Sequence, residues 1–96
     1  MTNTNEQSLK SALLQMVDHY RLRSRLTQVR IKKCWSDVMG ISISKYTTDI
    51  KVRKNKLFVT INSAALKQEL SYGKEKIIRN LNEELGEDLI HEIEIR

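Results

Sequence analysis

The sequence predicts an α+β two-layer sandwich, with helices covering one face of a three-stranded mixed sheet. Three observations carry this. The runs Thr48–Arg53 and Lys56–Ile61 flank a two-residue Lys54-Asn55 turn and read as a hairpin. Apolar residues at helical spacing precede the hairpin and follow it. A closing segment alternates Leu89, His91, Ile93 and Ile95 with Ile90, Glu92, Glu94 and Arg96, giving a last strand. The element order is α-α-β-β-α-α-β.

Residues 1–7, polar after Met1, are expected to fray, leaving one domain over residues 8–96. From Ser8 as a cap, Leu9, Leu13, Leu14, Met16 and Val17 predict a helix to about Tyr20. Arg21–Arg25 alternates cations with Leu22 and Ser24 and reads as a break. Leu26, Val29, Ile31, Trp35, Val38 and Met39 then supply the stripe of a second helix, which Gly40 interrupts. Ile43 and Tyr46 keep its phase for another turn. In the hairpin, Val52 is expected opposite Leu57, Ile50 opposite Val59 and Thr48 opposite Ile61, all on one apolar face. The other face pairs Arg53 with Lys56, Lys51 with Phe58 and Asp49 with Thr60. A one-residue slip would destroy this separation, which fixes the register. Asn62-Ser63 offers a cap for the next helix. Leu66, Leu70, Ile77, Leu81 and Leu85 nearly keep one phase across Gly73, so residues 63–85 form either one kinked helix or two, stopped at Gly86. A helical crossover makes the second and third strands parallel. Lys56–Ile61 is the central strand, being richest in β-branched and aromatic residues. The core is expected from Trp35, Val38, Leu57, Val59, Ile61, Leu66, Leu70, Ile77, Leu81 and Ile93.

Ninety-six residues make one small domain, and 40% hydrophobic with 30% charged residues fits a globular chain. No apolar run is long enough to span a membrane, and the polar N-terminus lacks a secretory signal. The single cysteine excludes an internal disulfide framework and suits the reducing cytoplasm. The net charge of +5 is unevenly placed. Residues 21–56 hold eleven basic side chains against two acidic ones, whereas residues 57–96 hold five against eight. Such asymmetry implies a face turned to a polyanion, or else long cationic side chains that only solvate helix and hairpin surfaces.

No catalytic constellation is present. Cys34 and His19 have no third partner at recognisable spacing, and Cys34 beside Trp35 reads as a helix-face residue. His19, His91 and one cysteine cannot form a structural zinc site, and no phosphate-binding glycine loop occurs. No cofactor is expected. Trp35 is either a core anchor or a stacking platform for bases. Candidate nucleic-acid contacts are Arg21, Arg23, Arg25, Arg30, Lys32 and Lys33, a stretch without an acid. The hairpin adds Lys51, Arg53, Lys54 and Lys56, with Phe58 beside them on the sheet face away from the helices. Glu92 and Glu94 share that face, so cross-strand ion pairs are the competing expectation there.

The spacing Trp35-x-x-Val38-Met39-Gly40, then Tyr46-Thr47, then Leu57-x-Val59-x-Ile61-x-Ser63-Ala64-x-Leu66-x-x-Glu69-Leu70, resembles the bacterial DciA family. Ile77-Ile78-x-x-Leu81-Asn82 and the closing Ile93-x-Ile95-Arg96 extend the likeness, which covers residues 26–96. The resemblance implies a KH type II-like fold, α-β-β-α-α-β, here with an extra N-terminal helix. It also implies a replication role: binding DNA, single- or double-stranded, contacting the replicative helicase and promoting its loading, with no ATPase of its own. The protein is then expected to be cytoplasmic and nucleoid-associated, with no membrane and no metal partner. A KH domain that grips nucleic acid carries a G-x-x-G loop between its paired helices. Here the junction reads Gly73-Lys74-Glu75-Lys76, a degenerate loop in which Lys74 and Lys76 remain available to phosphates. Longer family members carry a C-terminal extension implicated in helicase contact. This sequence ends at Arg96, which puts the expected contact on the folded domain or the N-terminal helix. Two other readings compete with DNA binding: a protein-interaction module without nucleic-acid affinity, and an RNA-binding KH-like domain.

Overall fold

The computed structural model describes the backbone from Thr2 to Arg96 and the side chains from Glu6 onward. Its elements are α1 (Thr2–Lys45), β1 (Thr47–Arg53), β2 (Lys56–Ile61), α2 (Ala64–Ser71), α3 (Lys74–Leu85) and β3 (Glu92–Ile95). The sheet runs β1-β2-β3, with β1 antiparallel and β3 parallel to the central β2. The α+β class, the central strand and the parallel crossover agree with the sequence reading.

The N-terminus differs. The two expected helices are one, and the break at Arg21–Arg25 is absent: α1 runs through it without a non-helical residue until Gly40. The segment holds neither glycine nor proline, and Arg and Leu are good helix formers, so nothing local ends the helix there. A continuous helix also changes which residues share a face. At 100° per residue, Leu26 and Val29 fall roughly opposite Ile31 and Trp35. They are accordingly 55% and 66% exposed, while Ile31 and Trp35 are buried. Gly40 adopts φ 86, ψ 171, a conformation open essentially to glycine alone, and this kink re-aims the last turn toward β1.

The hairpin register holds at five pairs, from Asp49–Thr60 to Arg53–Lys56. It departs at the sixth. Thr47, not Thr48, opposes Ile61, and Thr48 is the extra residue of a bulge. The bulge delivers Thr47 to the core: its hydroxyl accepts from Trp35 Nε1 at 3.0 Å and donates to the Ile43 carbonyl at 2.8 Å. Such a hydrogen bond is worth about 1 kcal/mol net. Burial of a large side chain is worth roughly 1.5–3 kcal/mol. Burial therefore holds Trp35, and the bond orients it.

Residues 63–85 form two helices. The Tyr72 and Gly73 amides bond back to Glu69 and Leu70 carbonyls, closing α2, and the Gly73 carbonyl then accepts from Ile77 to open α3. Ser63 caps α2 through Leu66 N, and Gly86 (φ 76) ends α3 in the left-handed conformation. The last strand is shorter than expected. Asn82 Nδ2 donates to the Ile90 carbonyl while its Oδ1 accepts from Ile90 N, both at 2.8 Å. This clamp turns Ile90 fully into the core instead of leaving it on the outer sheet face.

The core lies between the helices and one sheet face. Trp35, Leu57, Val59, Ile61, Leu70, Ile77, Leu81 and Ile93 are buried as expected, and Ile31, Cys34, Ile50 and Ile90 join them. Val38 and Leu66 pack half-buried at its margin.

Candidate nucleic-acid interface

Helix geometry decides how the cations of α1 are displayed. Arg21, Arg25 and Lys32 fall within about 40° of one another, Arg23 and Arg30 lie on the opposite flank, and Lys33 projects between the flanks on the outer side. The stretch that is continuous in sequence is thus divided around the helix. Arg30 is engaged by the end of α3: it donates to the Leu85 carbonyl at 3.0 Å and approaches Glu87 at 3.7 Å. Lys33 lines a shallow hollow with Asp37 and Glu84, and Lys32 lines another with Asp49.

The outer sheet face is also self-satisfied. Lys56 lies 3.6 Å from Glu94 and 3.9 Å from Glu92, and Lys51 lies 3.9 Å from Asp49. Phe58 is half-buried beneath two cations, with Lys56 at 5.3 Å and Arg96 at 4.7 Å from its ring centre. Arg96 Nε in turn donates to Glu94 at 2.6 Å. These pairs occupy Phe58 and its neighbours, the arrangement that Glu92 and Glu94 foreshadow in the sequence.

A groove of about 590 Å³ lies between α1 and the hairpin turn. It brings Arg23 together with Arg53 and Lys54, residues 30 or so apart in the chain, and adds Tyr20, Ser24, Thr27, Gln28 and Asn55. None of the three cations ion-pairs with a carboxylate among the described residues. The walls are tied down. Gln28 Nε2 donates to the Val52 carbonyl at 3.0 Å. Lys54 and Asn55 both take positive φ, 49° and 65°, the geometry of a tight two-residue hairpin turn. Asn55 Nδ2 donates to the Leu89 carbonyl at 2.7 Å, and its own carbonyl accepts from the His91 and Glu92 amides. Three exposed positive charges, hydroxyl and amide groups and one exposed tyrosine (74%) make a surface suited to phosphate and to a stacked ring.

The α2–α3 junction forms a separate hollow lined by Tyr72, Gly73, Lys74, Lys76 and Arg79, with Glu75 among them. Sequence reasoning missed Tyr20, Gln28 and Asn55 as groove residues. The signal for Tyr20 was the lack of any helix breaker after it, which puts it on the same face as Ile31. Cys34 is buried, its thiol 3.5 Å from the Leu81 carbonyl, and burial with Glu84 and Asp37 nearby pushes the thiol pKa up. That disfavours the thiolate. Among the described residues no cluster of metal-ligating side chains gathers, and no helix is long and apolar enough to cross a membrane.

The family profile described as Dna[CI] antecedent, DciA, matches residues 8–95. The chain belongs to the DciA family. The family is one of helicase-loader-type accessory proteins of replication. The match begins at Ser8, so it takes in the projecting part of α1 as well as the sheet domain. No curated protein and no solved structure matches the chain.

Proposed function

We propose that this DciA-family protein is a non-enzymatic replication accessory that binds DNA in the groove between α1 and the hairpin turn, contacts the replicative helicase and promotes its loading. Family membership supports the helicase role. The observation that carries the DNA reading is the un-neutralised trio Arg23, Arg53 and Lys54 facing one groove, while the sheet's other cations are paired. Arg21 and Arg25 are exposed on the other flank of α1 and do not line the groove.

The test is fluorescence anisotropy of labelled single- and double-stranded DNA across salt. Three phosphate contacts give a slope of log affinity against log salt near −2 for single strands, roughly a 15-fold loss between about 50 and 200 mM salt. Replacing Arg23 and Arg53 with Ala and Lys54 with Asn is expected to flatten that slope and weaken binding by about tenfold or more. Lys54→Asn is chosen because asparagine tolerates positive φ, so the turn survives the loss of charge. Replacing Lys51 and Lys56 with Ala should change the slope little. Equal affinity of parent and triple variant overturns the groove assignment, and tighter binding of a matched RNA moves it to the RNA-binding reading. Helicase contact is tested separately, by co-purification with the replicative helicase after nuclease treatment.

A further inference from the structure

The N-terminal half of α1 carries an apolar face that nothing in the fold covers. Leu9, Leu13, Met16 and Tyr20 are 63, 52, 66 and 74% exposed. Their spacing of four, three and four residues is that of a heptad seam. The seam lies on the helix face that, further along at Ile31 and Trp35, packs against the sheet. Extended one step each way it ends in a charge, Glu6 at one end and Arg23 at the other.

We propose that this seam pairs with itself, two copies of the chain associating through antiparallel α1 helices about an axis between Leu14 and Gln15. The charges at its ends select this arrangement. In the antiparallel pair Leu13 meets the partner's Met16, Leu9 meets the partner's Tyr20, and Glu6 meets the partner's Arg23. Every layer is then apolar or oppositely charged. A parallel pair would stack Glu6 on Glu6 and Arg23 on Arg23, like charges directly opposed. Beside the seam, Lys10 falls opposite Val17 and Ala12 opposite His19, so no like-charged pair opposes the contact. Two helices paired over some five turns bury on the order of 1,000 Å² in total, the size of a weak and reversible interface. Because Tyr20 and Arg23 belong both to the seam and to the groove, a bound polyanion and a second copy compete for them.

Sedimentation equilibrium of the full chain without nucleic acid tests the pairing and does not depend on what the groove binds. A monomer–dimer equilibrium is expected within a range up to about 100 µM. Leu13→Glu is expected to weaken association about 100-fold, by placing a charge in an apolar layer. Glu6→Arg and Arg23→Glu are each expected to weaken it several-fold, and the double variant Glu6→Arg with Arg23→Glu to recover it. All these positions are solvent-exposed in the single chain, so the fold does not rest on them. A chain that stays monomeric at about 100 µM overturns the proposal. So does a dimer indifferent to Leu13→Glu, and so does a double variant no better than its single parents.

Discussion

Glu94 shows what one side chain contributes to the sheet's outer face. The hydrogen bond from Arg96 holds its carboxyl below the usual carboxylate range, with the Arg96 and Lys56 charges adding to the effect. A lowered folded pKa means stability that is present above the unfolded value, about 4.3, and lost as pH falls through the folded one. Glu94→Gln should therefore be slightly less stable than the parent in urea unfolding near neutral pH and decline less steeply below about pH 4, the two meeting in acid. A parallel decline in parent and variant would contradict this. The residue was legible in the sequence, because strand alternation alone sets Glu92 and Glu94 beside Lys56. Thr47 was not. Its role depends on a bulge, and one extra residue in a strand leaves no mark on an alternation that either register nearly satisfies.

At the level of elements, Gly40 governs how the long helix meets the sheet. Its backbone sits at φ 86 and ψ 171, and no atom lies within 4 Å of the place a methyl group would take, so substitution meets backbone strain and no steric clash. Gly40→Ala is expected to cost about 1–3 kcal/mol in urea unfolding. Gly73→Ala, at φ −119 and equally open, should stay within about 0.5 kcal/mol. Equal losses at both would show that the kink is not held by Gly40's conformation. The hairpin, the two caps and the parallel crossover were readable from turn residues and period, whereas one kinked helix or two over residues 63–85 stayed open because the apolar phase nearly continues across Gly73. The length of α1 was not, since alternating Arg and Leu mimics an interruption while each residue alone favours helix. That single misjudged junction hid the groove, because Arg23 meets Arg53 and Lys54 only when the helix runs on unbroken past Tyr20.

For the whole molecule, the unbroken α1 produces an elongated shape of 65 × 24 × 19 Å with a radius of gyration of 18.0 Å. A compact chain of this length would have about 12–13 Å. Residues 6–26 bury no side chain, while the remainder of α1 supplies Ile31, Cys34 and Trp35 to the core. One helix thus has a supported end and an unsupported end. The sequence contained both ends as apolar stripes. Nothing in hydrophobic period alone says whether a stripe meets its own sheet or a different surface.

This division makes the chain its own optical gauge. The lone tryptophan, 1% exposed, lies in the supported end, and no second indole reports from elsewhere. Its emission should follow the sheet domain, whereas far-ultraviolet ellipticity should follow all of α1. On warming, ellipticity is expected to start falling before the emission reddens, as the outer turns melt ahead of the centre. Adding DNA or raising protein concentration would close the gap between the two curves wherever it captures those turns. Superimposable curves at every dilution would mean that the helix melts as one piece with the sheet.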